Sequence, residues 1–222
     1  MKPLRIGLMV PGNNTTMEAE LLEWLPHGSS CRTIKIPRGA GLLTRETVPA
    51  YKAKALELAH GFVENELDAV VYGCTAAGFI YGPSGDAELA AQLAEITGKP
   101  VVTTARAMVD ALEHSGASDV AVVTPYGDVV NQRLTAFLAE SDIRVTKLRT
   151  FNASSVDELG RITADQVAGL ARDTVTPQSD ALFIACSQLP THAIVSALQN
   201  EFKRPVWSSI QASAWQTEEK LS

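Results

Sequence analysis

Short runs rich in β-branched residues recur along the chain, at 4–10, 31–36, 68–73, 100–104, 119–124, 143–148, 180–185 and 205–209. Between most of them lie stretches of ten or more residues whose apolar positions fall three or four apart, as with Leu89, Leu93 and Ile96, or Leu134, Phe137 and Leu138. A strand-like run that repeatedly gives way to a helical period predicts an α/β fold, a mostly parallel sheet with crossover helices. The apolar runs stay near six or seven residues, far below the roughly 20 that span a bilayer, and "MKPLRIGLMVPGNN" turns polar too early for a secretory signal. The pattern therefore predicts a cytoplasmic protein with no membrane partner.

The pattern also repeats. Asp68 and Cys74 in "DAVVYGCTAAGF" recur as Asp180 and Cys186 in "DALFIACSQLPT", at an offset of 112. The strand ending at Pro11 recurs at Pro125, an offset of 114, and "GKPVVTTARAMVDAL" from 98 recurs as "KRPVWSSIQASAWQT" from 203, an offset of 105. Any two βα units look alike singly, but three landmarks in the same order predict a duplicated α/β unit.

Composition narrows the function. With 222 residues and 45% apolar content, the chain can bury a sizeable core. A net charge of −6 without a basic block excludes a nucleic-acid partner. Three cysteines, at 31, 74 and 186, form neither an even disulfide set nor a paired metal-ligand spacing, and no phosphate-binding glycine signature occurs. No metal and no cofactor is expected. Cys31, at the head of a short strand, reads as a small buried hydrophobe. His192, six residues after Cys186, reads as a capping or surface residue.

Cys74 and Cys186 invite chemistry, because ligands of open parallel sheets gather at the carboxyl ends of strands. A thiol ahead of a helix N-terminus is expected to have a lowered pKa, and hence fast alkylation near neutral pH. Two thiols facing one carbon could act as opposed base and acid, which is racemisation. A thiolate could instead add to an activated double bond, allow rotation and leave, which is cis–trans isomerisation. Either route needs fixed donors for the carboxylate of the substrate. Such donors lie in "PGNNTT" (11–16), at Thr75, in "TPYG" (124–127) and in "SQ" (187–188), although single residues of these types also cap helices. The loop 37–46, with Arg38 and Arg45, could close over a cleft as a lid or lie solvated.

"VPGNNTTMEAEL" (10–21), "YGCTAAGF" (72–79), "VVTPYGDVVNQRLTAFL" (122–138) and "FIACSQLP" (183–190) resemble the aspartate/glutamate racemase superfamily. The likeness is greatest to its branch of maleate cis–trans isomerases, arylmalonate decarboxylases and ectoine-utilisation relatives, and it covers nearly the whole chain. It implies two pseudo-symmetric lobes, each a mostly parallel four-stranded sheet flanked by helices, with the active site in the cleft between them. On that pattern residues 1–112 plus 208–222 would form the first lobe and 113–207 the second. The resemblance implies Cys74 and Cys186 as catalytic thiols, with Asn14, Thr75, Tyr126, Ser187 and Gln188 holding a carboxylate. Arylmalonate decarboxylases carry a glycine at the first-lobe position, so Cys74 favours a two-thiol isomerase or racemase. The "DSG" opening of glutamate racemases is missing.

The expected function is therefore cofactor-independent isomerisation or racemisation of a small carboxylate or dicarboxylate, with maleate to fumarate as the lead reaction. The alternatives are an arylmalonate-decarboxylase-like or racemase activity on an α-substituted acid, and a non-catalytic intracellular carboxylate-binding module. A homo-oligomer is left open.

Overall fold

The computed structural model of the protein describes residues 2–38 and 41–222. The first half of the chain runs β1 (Arg5–Pro11), α1 (Met17–Trp24), β2 (Ser30–Ile36), α2 (Val48–Ala59), β3 (Ala69–Tyr72), α3 (Thr75–Thr97), β4 (Val101–Thr103) and α4 (Thr104–His114). The second runs β5 (Asp119–Thr124), α5 (Asp128–Ala139), β6 (Arg144–Thr150), α6 (Val156–Gly160), α7 (Ala164–Thr174), β7 (Ala181–Ile184), α8 (His192–Phe202), β8 (Val206–Ser208) and α9 (Ser209–Leu221). All eight strands anticipated from the hydrophobic pattern form, and they build two parallel sheets ordered β2-β1-β3-β4 and β6-β5-β7-β8. The same strand order twice is the duplication in three dimensions.

The repeated sequence landmarks have matching physical jobs. Asp68 accepts a hydrogen bond from the N–H of Arg5, and Asp180 accepts from the N–H groups of Ser118 and Asp119, so each carboxylate secures the start of its neighbouring strand. Gly98 and Lys203 both end a helix in the left-handed conformation, at φ 65° and 55°. Thr103 and Ser208 both cap the next helix, accepting from the N–H of Arg106 and of Gln211. The offset falls from 112 to 105 because α3 is a 23-residue helix kinked at Gly82 and Pro83, whereas α8 has 11 residues.

The central strands are buried on both faces, which is why they read as unbroken apolar runs. One core runs from Ile6, Leu8 and Val71 through Phe79 and Met108 to Val122, Phe183 and Ile210, and so joins the two halves. A second lies on the other face of the first sheet, among Met9, Ile36, Tyr51, Phe62, Tyr72 and Leu89. Helix α9 packs against α4 and α1, bringing the end of the chain back onto the first half. No helix among the described residues is long and apolar enough to cross a membrane.

Candidate active site

β3 and β7 deliver the two cysteines to the place where the halves meet. The N–H of Gly73 donates to Met9 O at 2.7 Å, and that of Ala185 to Val123 O at 2.8 Å, so each strand is held to its last residue. Glycine is required at 73, because a Cβ would overlap Met17 Sδ and Val10 Cγ1. Cys74 is then the N-cap residue of α3. Cys186 adopts φ 156°, donates its N–H to Ser209 Oγ at 3.0 Å, and leads into a turn through Pro190 before α8.

Both thiols, with Thr75, Tyr126, Ser187, Gln188 and Asn14, line one cavity of about 60 Å³. Pro11, Leu42, Leu43, Pro125, Val130, Ala153 and Leu159 make its walls largely apolar. All seven residues anticipated from sequence are therefore together, but they are not equally free. Asn14 donates to Ser187 O and Oγ, both at 3.1 Å, while its own Oδ1 accepts from the N–H groups of Thr16 and Met17 at the start of α1. Ser187 Oγ donates to Gly73 O at 2.7 Å. Gln188 Oε1 accepts from Thr15 N–H, and its Nε2 donates to the hydroxyls of Thr15 and Thr16. These three side chains staple the two halves across the cleft floor. The groups left unpartnered and buried are Thr75 Oγ1, Tyr126 Oη, Asn13 Oδ1, and Nε and Nη2 of Arg38.

The spacing of Thr124, Tyr126 and Asn131 has a local cause. Asn131 donates from Nδ2 to Tyr126 O at 2.8 Å and accepts from Thr124 Oγ1 at 2.7 Å, and Thr150 Oγ1 also donates to Tyr126 O. The first turn of α5 thus fixes the tyrosine backbone beside the cavity.

The thiols differ from expectation in one respect: burial raises both pKa values rather than lowering them. Cys74 is pushed up to about 11 by loss of solvent, partly opposed by the Ala77 N–H, the Tyr51 hydroxyl and the charge of Arg38. Cys186 is also raised by burial, opposed by the Gln188 N–H, the Tyr126 hydroxyl, Arg38 and the Leu189 N–H. The helix-start N–H groups act in the direction the sequence suggested, but desolvation outweighs them. The neutral thiol is the resting form of both, so fast alkylation near neutral pH is not expected. Each thiol has a buried tyrosine hydroxyl beside it, Tyr51 at Cys74 and Tyr126 at Cys186.

Tyr51 was not among the residues anticipated from sequence, and Arg38 was anticipated only as part of a loop that could close over the cleft. Tyr51 sits on α2, far from either cysteine in sequence. Arg38 lies in the anticipated lid loop, of which Gly39 and Ala40 fall outside the described residues, whereas Arg38, Leu42 and Leu43 line the cavity. Cys31 is half-buried and lies apart from the cavity, and its thiol is pushed up to about 12 by burial and the charge of Glu18. His192 packs edge-on against Trp24, ring centroids 4.8 Å apart, and does not reach the cavity. Among the described residues no group of three or more His, Cys, Asp or Glu side chains could hold a metal ion.

A pair of strand-end cysteines lining one small, largely apolar cavity sets the site against which known proteins can be compared. The sequence profile of the arylmalonate decarboxylase family matches residues 6–222. The chain belongs to that family. Among its relatives, the maleate isomerase of Nocardia farcinica is 29% identical over 227 residues, covering 95% of this chain and 87% of that protein. The arylmalonate decarboxylase of Bordetella bronchiseptica is 28% identical over 179 residues, covering 80% and 75%. A solved structure of a cysteine-to-serine variant of the Nocardia farcinica maleate cis–trans isomerase, with a covalently bound succinylcysteine intermediate, superposes with a TM-score of 0.90 at 26% identity, covering 99% of this chain and 93% of that one. Family membership and fold are thus common to isomerases and decarboxylases, and the choice between them rests on the cavity.

Proposed function

We propose that this protein is a cofactor-independent cis–trans isomerase of a small dicarboxylate, converting maleate to fumarate with two thiols. The observation that carries the reading is the pair Cys74 and Cys186, from equivalent strand ends, lining one cavity of about 60 Å³. That volume accommodates a few water-sized groups, in keeping with a four-carbon diacid. The isomerase named above, which carries a succinyl group on cysteine, supports the same chemistry.

In the proposed cycle, Cys74 gives its proton to solvent and its sulfur adds to one olefinic carbon, forming a C–S bond as the C=C π bond breaks. The π electrons move into the carboxylate on the neighbouring carbon, and Cys186 protonates that carbon. The former double bond is now single and rotates. The Cys186 thiolate then removes a proton from the same carbon, the C–S bond breaks with its electrons returning to sulfur, the Cys74 thiolate takes a proton back from solvent, and the trans diacid leaves with both thiols restored. Thr75 Oγ1 and Tyr126 Oη, buried and unpartnered, would donate to the carboxylate that gathers charge. Asn14, Ser187 and Gln188 would contribute chiefly by holding the cavity floor rather than by direct donation. Ionising Cys74 at pH 7 costs on the order of 5 kcal/mol from a pKa of about 11, a cost that Tyr51 and Arg38 already lessen.

Proton NMR of the purified protein with maleate and no additive tests the reading. Fumarate should appear with the wild type and not with Cys74→Ala. Carbon dioxide release from an α-aryl malonate with no fumarate would transfer the assignment to decarboxylation, and binding without turnover of any acid would transfer it to a carboxylate-binding module.

A further inference from the structure

Arg38 is the one charged side chain lining the cavity among the described residues. Its Nε and Nη2 are shielded from solvent and have no hydrogen-bond partner among the described residues. Two guanidinium N–H groups held out of water without an acceptor are costly, and an acceptor on a ligand entering the cavity would complete them. Its charge acts on both thiols and on Tyr51, so it is placed near Cys74 and Cys186 alike rather than at a remote rim. The neutral donors Thr75 and Tyr126 suit one carboxylate. They leave the guanidinium without an occupant.

We propose that Arg38 is the counter-ion of the second carboxylate of the substrate, which makes this one side chain the group that selects dicarboxylates over monoacids and half-amides. The assignment rests on the isomerase reading for the identity of the diacid. Its chemistry also separates isomerase from decarboxylase. In thiol addition, the carboxylate on the attacked carbon stays anionic through every species, so a counter-ion binds ground state and transition state alike. A carboxylate that departs as neutral carbon dioxide would instead be held back by it. Arg38 should therefore act on KM much more than on kcat.

The test is titration calorimetry of the wild type, Arg38→Lys and Arg38→Met with succinate, its half-amide succinamate, and butyrate, alongside maleate kinetics. The wild type should bind succinate roughly 30-fold more tightly than succinamate, as for a charge-assisted pair. Arg38→Met should bring the two within about threefold while leaving succinamate affinity unchanged, and Arg38→Lys should recover part of the difference. A wild type that does not discriminate, or binds none of the three, overturns the assignment, as does an Arg38→Met variant that weakens all ligands equally. If discrimination is present but maleate is not turned over, the isomerase reading fails and Arg38 keeps its role. If maleate is turned over and Arg38→Met leaves KM unchanged, the reverse holds.

Discussion

The two cysteine ends began alike and now differ in what surrounds the sulfur. Both follow a buried parallel strand whose neighbour is secured by an aspartate, and both sit beside a tyrosine hydroxyl. Cys74 opens directly into a long helix and belongs to the core of the first sheet alone. Cys186 belongs to the core that joins both halves, and it sits in an uncommon backbone conformation, φ 156°, pinned through Ser209 Oγ. The N–H of Gln188 donates to the Cys186 sulfur at 3.4 Å while that of Leu189 holds the Cys186 carbonyl, so a tight turn wraps this thiol, whereas Cys74 has the start of a long helix ahead of it. Duplication supplied two equivalent positions, and local backbone then made them unequal, which fits one sulfur for attack and the other for proton transfer.

That asymmetry can be broken most forcefully by removing each thiol. Cys74→Ala should abolish maleate turnover, by about 1000-fold or more, and leave no adduct on Cys186. Cys186→Ala should also be inactive, yet mass spectrometry should find one substrate mass on the Cys74 peptide. An adduct on Cys186 instead would exchange the roles. A second effect, smaller but still large, concerns ionisation. In Cys186→Ala, thiolate absorbance should titrate near the value of about 11 set by burial, and iodoacetamide should react at pH 7 at least about 100-fold more slowly than with free cysteine. Turnover should rise with pH on the alkaline side as the thiolate fraction grows. Arg38→Met should move this titration higher still.

The supports of the two ends should separate in stability measurements. On the buried face of α3 itself sits Asp86, accepting from Thr103 Oγ1 at 2.5 Å, with its pKa raised to about 6 by desolvation. Between its ordinary value of 3.8 and about 6 the folded chain retains a proton that the unfolded chain has lost, so stability should fall as pH rises through that window. Asp86→Asn should remove this slope and be more stable by roughly 3 kcal/mol above pH 7, read by denaturant unfolding at several pH values. On the Cys186 side, Ser187→Ala removes the hydroxyl that donates to Gly73 O and accepts from Asn14, and should cost about 1–2 kcal/mol at every pH.

Much of this was readable because parallel buried strands leave a local trace. Runs such as Asp68–Gly73 are apolar on both faces, and the Asp, Pro and cap residues repeat because each does the same backbone job twice. The positions of Cys74 and Cys186 followed from strand ends alone. What a single sequence could not display is how donors are spent. Asn14 and Gln188 look like ligand-binding amides until the fold brings residues more than 170 apart into contact and uses them between the halves. The direction of the thiol shifts departs from the sequence expectation for a related reason: helix-start N–H groups are local, but desolvation depends on everything packed around the sulfur. Arg38 and Tyr51 carry no motif, and only the path of the chain after β2 brings them to Cys74.

The hydrogen bonds of Asn14, Ser187 and Gln188 across the floor also bear on the history of the molecule. Once two copies of a unit share donors and acceptors in this way, neither can drift alone, because a substitution on one side strands a polar atom on the other. The chain after β2 carries Arg38, Leu42 and Leu43 to the cavity without joining those bonds. Inherited change should accumulate there first, so descendants of this scaffold would acquire new substrates through one short loop while the duplicated floor stays almost unaltered.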